Sequence, residues 1–411
     1  VFTLRLTLAA NGGYQLTQNF KLTVGLPDHR DHDIGDMRLT VTHQAILGYL
    51  DDTQLIGSGC GPADEGSYLF LGSFWGGTGP TYICNRDYSG TGAGSTVETY
   101  EWISTTSPNG RVADVTAGGV ADQEFQAVFS DAGHASPRQI QVTQHSYAWA
   151  DEGSDDFVVL KYTIRNNGTS SVTDYHAGVF CDWDLGDDSS ANLGGSDAGR
   201  HLTYQYASGG PYAGVAVLYP HAHKNLTLID NPTYVYPEGS IADDIKSRHL
   251  KGTMSMPSTT TPSDYCMVTS AGPFTLAAGA EITVCFAMAT GNTLAELQAA
   301  VDQAQLMYYT TGGEEPPPRP AFALGQNYPN PFNPRTTIRF TLEKIGPVSI
   351  DVFDLAGRKV RTLTSQVYGP GEHAVTWDGA SDAVQAQPSG LYLYRYRGDG
   401  RELARKMMLV R

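Results

Sequence analysis

Cysteine, charge and long apolar runs are all scarce in this chain of 411 residues. There are five cysteines, Cys60, Cys84, Cys181, Cys266 and Cys285. None forms a Cys-x-x-Cys pair, which argues against a zinc ribbon. Charged residues make up only 17% against 40% hydrophobic, a globular balance rather than a disordered one. No apolar run approaches the length of about 18 that a membrane helix needs. Hydrolytic signatures are missing too: there is no Gly-x-Ser-x-Gly elbow and no His-Glu-x-x-His zinc motif. The chain begins at Val1, without an initiator Met or a charged-then-apolar leader.

Basic residues are outnumbered 27 to 43, for a net charge of −16. The imbalance is uneven. From residue 324 onward there are 12 basic and 8 acidic residues, net +4, and the rest of the chain carries −20. An acidic body does not seek nucleic acid. The two signs suit contact within or between chains, although an acidic surface also serves solubility alone.

Glycine is abundant, at 46 residues, as in a turn-rich β protein. Phe2, Leu4, Leu6 and Leu8 alternate with polar residues, Asn11-Gly-Gly13 turns, and a second strand runs on to Val24. Residues 1–25 thus read as a hairpin, either the remnant of an upstream Ig-like domain or a native hairpin packed on the main domain. Residues 26–311 read as one large antiparallel β-sandwich. Its strands are expected at Arg38–His43, Ser67–Ser73, Ile140–Ala148, Phe157–Arg165, Tyr175–Trp183, Ala213–Leu218 and Ile282–Thr290, with Asn166-Asn-Gly168 as a hairpin turn. Thr293-Leu-Ala-Glu296 is a capping box, and Leu294, Leu297, Val301, Ala304 and Tyr308 continue at helical spacing, so a helix is expected over 293–309. Residues 312–323, with Pro316-Pro-Pro-Arg-Pro320, form a stiff linker. The fold class is all-β: a large sandwich with one short C-terminal helix, then a small Ig-like sandwich over 324–411.

That last segment is the most specific. Asn327-Tyr-Pro-Asn-Pro-Phe-Asn-Pro334 cannot be helical, because each proline restricts the residue before it to extended geometry. Ile338, Phe340 and Leu342 alternate with polar neighbours, and so do Val348, Ile350 and Val352. Asp354-Leu-Ala-Gly357 has turn chemistry. The chain then runs through Ser389-Gly-Leu-Tyr-Leu-Tyr-Arg-Tyr396 to a terminal Lys406-Met-Met-Leu-Val-Arg411. Together these resemble the C-terminal sorting domain of type IX secretion cargo. The resemblance implies an extracellular or surface location and the secretion machinery as a partner of 324–411. Two further segments, 33–52 and 140–200, resemble a β-rich region found downstream of subtilisin-like protease domains in large secreted proteins.

Candidate chemistry is thin. Asp182, Asp184, Asp187 and Asp188, with Asp197 downstream, alternate at a strand end as a flexible calcium loop would, although the spacing is not that of an EF-hand. Calcium is the one cofactor suggested. Asp28, Asp31, Asp33 and Asp36 are a looser acidic group, and Asp151, Glu152, Asp155 and Asp156 read as a turn. His221 and His223, like His29 and His32, lack a third ligand for zinc. Gly90–Gly94 reads as a loop rather than a phosphate cradle. Trp75, Tyr82 and Trp102, if exposed, would form a sugar platform. In an oxidising exterior, Cys60 with Cys84 and Cys266 with Cys285 are the expected disulfides, leaving Cys181 as a buried hydrophobe. The leading expectation is a non-catalytic structural protein that contacts copies of itself in a layer or filament. The alternatives are the tail of a secreted protease and a carbohydrate-binding module.

Overall fold

A computed structural model describes residues 2–9, 15–22, 27–50, 54–85, 101–105, 111–117, 119–220, 224–237, 241–310, 323–342, 346–369, 371–398 and 401–410. Phe2–Ala9 and Gln15–Leu22 pair antiparallel as a separate two-stranded sheet. The 11–13 turn and most of the proline-rich segment lie outside the described residues.

Two nine-stranded sheets build the body. In the first, Gln123–Ser130, Ile140–Ala148, Phe157–Asn166, Glu281–Gly291, Tyr212–Tyr219, Leu202–Tyr206 and Leu193–Asp197 lie side by side, with Ile103–Ser104 and Ala113–Asp114 at one edge. The second runs Lys224–Asp230, Tyr265–Leu276, Val172–Trp183, Leu69–Gly79, Ile46–Leu47, Met37–Thr42 and His29–His32, with Cys60–Pro62 and Tyr82–Cys84 attached. Ile140–Ala148 alternates buried and half-buried residues along its whole length, as a period-two pattern requires. Val172–Trp183 instead is buried almost continuously after its first turn, because both its faces are covered.

The sheets face each other across one core. Phe74 stacks on Tyr162 at 4.2 Å, and Trp102 meets Phe129 edge-on at 5.4 Å. Each sheet also has a covered outer face. On the first, Phe157, Val159 and Ala287 pack with Leu297, Val301, Ala304 and Tyr308 of a helix at Leu294–Thr310. On the second, Trp75, Phe180 and Val268 pack with Ile241 and Leu250, the latter from a helix at Asp243–Leu250. The body is therefore helix, sheet, sheet, helix. Helix Leu294–Thr310 starts as expected: Glu296 N–H donates to Thr293 Oγ1 at 3.2 Å, and Glu296 Oε2 accepts from Asn292 N–H at 2.9 Å. The shorter helices at Asn231–Tyr234 and Asp243–Leu250 are not anticipated by the sequence pattern.

Two expectations need correction. Asn166-Asn-Gly168 does not close a hairpin, since Phe157–Asn166 and Val172–Trp183 belong to different sheets. Asn166, fully buried, steers the crossing: its Nδ2 donates to Ser170 O and Leu276 O, and its Oδ1 accepts from Gly168 N–H. Nor are the cysteines joined in disulfides; all five are buried. Cys266 lies on the outer face of one sheet and Cys285 on the outer face of the other, so two sheets and the core separate them. Cys60 and Cys84 sit on two short strands attached to different members of one sheet. Cys181, left unpaired by the sequence reading, is a core residue.

The tail is a smaller sandwich. Ala323–Leu324, Thr336–Leu342 and Gly371–Trp377 form one sheet. Lys359–Tyr368, Gly346–Phe353, Gly390–Gly398 and Arg401–Leu409 form the other. Ile338, Phe340, Leu342, Val348, Ile350 and Val352 all point into its core, as their alternation requires.

Candidate functional site

The five aspartates read as a calcium loop are dispersed. Asp182 ends a strand inside the second sheet, while Asp184, Asp187 and Asp188 are exposed beyond it. Asp188 caps a short 3-10 turn, accepting from Ser190 N–H at 3.0 Å. Asp197 binds Arg200 at 2.8 Å and Gln298 Nε2 at 2.9 Å. Among the described residues, no three His, Cys, Asp or Glu side chains are placed to hold a metal ion.

What the structure does assemble is a carboxyl pair. Asn231, buried at the start of its short helix, gives one amide N–H to Asp182 Oδ1 at 3.1 Å and the other to Asp264 Oδ1 at 2.9 Å. Tyr236 also donates to Asp264. Burial and the Asp264 charge push the Asp182 carboxyl well above the ordinary range. Burial also raises Asp264, from 3.8 to about 6, against the hydrogen bond from Asn231. Sequence reading found Asp182 but missed Asp264 and Asn231, which lie 82 and 49 positions away and carry no motif.

The aromatic candidates do not form a platform. Trp75 and Trp102 are fully buried and Tyr82 nearly so. Trp75 stacks on Phe180 at 4.6 Å beneath helix Asp243–Leu250, and Trp102 Nε1–H donates to Phe74 O. Their apolar surface is spent on the core.

Three of the looser acidic group are individually partnered, Asp28 with Arg111, Asp31 with Thr40, and Asp33 with Gln123, while the Asp36 backbone O accepts from Ala63 N–H. Asp151–Asp156 is a turn between two strands, where Asp155 Oδ1 accepts from Gly153 N–H. His32 is buried, stacked on Phe125 at 4.4 Å, with Nε2 2.8 Å from Ser146 Oγ. His29 is half-buried at the other end of the same strand. His221, His223 and the Gly90–Gly94 segment lie outside the described residues.

In the tail, the Asn-Pro run turns out to be the fixture of the last strand. Asn327 N–H donates to Tyr394 Oη, which itself donates to Gly325 O at 2.6 Å. Asn327 Nδ2 donates to Pro329 O and Thr336 Oγ1. Asn330 Oδ1 accepts from Met408 N–H, Phe332 N–H donates to Met408 O, and Val410 N–H donates to Phe332 O. Phe332 pairs with Leu409 in a parallel bridge and packs on Trp377, which in turn meets Tyr392 edge-on. The run and the terminal strand, 78 positions apart at the Asn330–Met408 contact, are one hydrogen-bonded unit.

No curated protein matches this chain. Among solved structures, a bacterial glucoamylase complexed with acarbose is similar at 11% identity and TM-score 0.41, over 75% of this chain and 38% of that one. A putative aldose 1-epimerase from Escherichia coli K12 is similar at 10% identity and TM-score 0.33, over 64% of this chain and 98% of that one. PorZ, a surface component of the type IX secretion system of Porphyromonas gingivalis, is similar at 10% identity and TM-score 0.23, over 98% and 62%. This chain thus spans well under half of the glucoamylase. None of the described helices is long and apolar enough to cross a membrane. Residues 326–410 match the family described as the secretion system C-terminal sorting domain. The chain therefore carries a type IX sorting tail, which directs it to the cell surface or the extracellular space.

Proposed function

We propose that this chain is a non-catalytic structural protein of the bacterial exterior. It leaves by the type IX route through its tail and associates with copies of itself in a layer or filament. The observation that carries this reading is the terminal strand. Arg401–Leu409 lies at the edge of its sheet: Gly390–Gly398 pairs along its length, Gln326, Asn330 and Phe332 hold the end of its other side at Lys406–Leu409, and residues 401–406 are exposed. An edge strand offers a row of backbone donors and acceptors to another strand. This one exposes Leu403 and Met408, with Val410 just beyond it, among Arg401, Arg405 and Lys406. The −20 body is of the opposite sign, which suits head-to-tail contact, and head-to-tail contact that does not close gives a filament.

Electron microscopy of the purified full chain, and of a chain lacking residues 401–411, tests assembly. Ordered layers or filaments that vanish with the truncation support the reading. Dispersed monomers of the full chain at high concentration sink it. Export is tested separately by fractionating cells that express the chain with and without residues 324–411.

A further inference from the structure

Beneath helix Asp243–Leu250, on the outer face of the second sheet, three polar side chains from distant parts of the chain converge in an apolar setting. Asn85, fully buried, comes directly after the short strand Tyr82–Cys84. Lys246, 2% exposed, reaches it from the helix, and its Nζ donates to Asn85 Oδ1 at 2.8 Å across 161 positions of sequence. Glu101 holds the other side of the same amide: its Oε2 accepts from Asn85 Nδ2 at 2.7 Å and from the Asn85 backbone N–H at 3.0 Å. Its Oε1 lies 3.8 Å from His134 Nε2. The ring of Trp75, stacked flat on Phe180, lies 5.5 Å from Nζ. Ile83, Leu250 and Val268 belong to the same apolar cluster.

We propose that Lys246 and Asn85 are joined by an intramolecular isopeptide bond, formed without any other protein, with Glu101 carrying the protons. The parts are a primary amine, a carboxamide and a carboxylate, fixed by packing in a site largely screened from water. Held orientation of this kind turns a sluggish amide exchange into an effectively intramolecular one. Nζ already touches the oxygen bonded to the carbon it must attack, and Glu101 already touches the nitrogen that must leave. The Lys246 ammonium gives one proton to Glu101. The free amine then forms the Nζ–Cγ bond. The Cγ–Nδ2 bond breaks as Nδ2 takes the proton from Glu101 and a second from Nζ. An ammonium ion departs, so that the neutral chain is lighter by one ammonia, and a secondary amide remains. Glu101 is regenerated as a carboxylate, and no oxidant or reductant takes part. The product ties the helix covalently to the sheet it covers, in a body whose five cysteines form no disulfide.

Intact-mass measurement of the denatured full chain, with proteolysis and tandem mass spectrometry after it, tests this. The expected result is a chain lighter than its sequence by one ammonia, and a branched peptide joining the segments that contain Asn85 and Lys246. A chain of full sequence mass overturns the proposal. So does an ammonia loss mapped elsewhere, such as succinimide at Asn109-Gly110 or Asn167-Gly168, or recovery of Asn85 and Lys246 only in separate linear peptides. In E101Q the branched peptide is expected to be lost while the circular dichroism of the fold is kept. If E101Q folds and still branches, Glu101 is not the proton carrier. The wild-type mass decides the bond itself, even if that variant fails to fold.

Discussion

The body and the tail are both sandwiches, yet they differ in where most of their charged groups sit. In the body, helices cover the outer faces of both sheets, and His32, Asn231, Asn85 and Lys246 are sunk within it. In the tail, apart from the buried Asn327–Thr336 contact, most side-chain ion pairs lie at the surface, such as Arg361–Asp378 and Arg397–Glu402, and the terminal strand is largely exposed. Buried polar groups must find partners with good geometry, and so they fix one arrangement. Surface pairs and the exposed first part of the terminal strand leave room for another partner. The body is built to be sealed and the tail to be read.

The strongest way to break this contrast is to show that the two regions are not separate folding units. Phe74→Ala removes a ring from the centre of the body core, and Trp377→Ala removes one from the tail core. Each substitution is expected to cost about 3–5 kcal/mol in its own region. Scanning calorimetry should show two transitions, with each variant lowering one and leaving the other in place. A shift of both transitions by either variant would mean that body and tail melt together.

Acid should separate groups within the body. Burial holds the His32 imidazole down from 6.5 to about 3, and His249 down to about 4. Between those values and 6.5 the unfolded chain binds protons that the folded chain refuses. Stability is therefore full above 6.5 and falls by a few kcal/mol as pH drops through that window. Asp264 acts the other way. Its folded value is raised from 3.8 to about 6, so its contribution is full below 3.8 and lost as pH rises through about 6. Asp264→Asn is expected to raise the melting temperature at pH 7 by the equivalent of about 1–2 kcal/mol, discounted for partial exposure. The gain should shrink toward zero at pH 4. An equal gain at both pH values would remove the charge as its cause.

The same contrast explains what could be read from sequence. Ile140–Ala148 and the tail strands announce themselves because one face of each is buried, so polarity alternates along the chain. The capping box at Thr293 works because its donors and acceptors are local. Asn166-Asn-Gly168 misled because an Asx turn looks the same whether it closes a hairpin or crosses between sheets. Trp75 and Trp102 offered a platform only while their burial was unknown. Asp182–Asn231–Asp264 and Lys246–Asn85–Glu101 were invisible because strand order brings each set together from separate segments, with no spacing to betray it.

A loss smaller than that of a core aromatic ring is expected where a partly buried ion pair ties the body. Arg200 makes a two-toothed pair with Asp302 of helix Leu294–Thr310, at 3.0 and 2.9 Å, and also holds Asp197 at 2.8 Å. Arg200→Ala leaves two partly buried carboxylates facing each other and should cost about 2–3 kcal/mol. Arg200→Lys should recover only part of this, because an ammonium cannot span both oxygens. Chemical denaturation of the two variants gives the comparison, and full recovery by lysine would mean that charge alone matters there.

The smallest effect should come from the tail motif, and it is the most informative about how the address is displayed. Asn327 gives its two amide N–H bonds to Pro329 O and Thr336 Oγ1 and its backbone N–H to Tyr394 Oη. Asn327→Ala removes the first two and leaves the third. The expected cost is about 1–2 kcal/mol, because the buried acceptors lose a donor while the surrounding core is unchanged. The bonds from Asn330 and Phe332 to the terminal strand sit on the far side of Pro329, so loosening at 327 should propagate to Met408 and Val410. Hydrogen exchange is expected to speed up at Phe332, Met408 and Val410 well before it does at Ile350 or Val352 in the same sandwich. Uniform acceleration across the tail would mean that the motif merely contributes to overall stability. Acceleration confined to the terminal strand would show that the Asn-Pro run is what holds that edge in place.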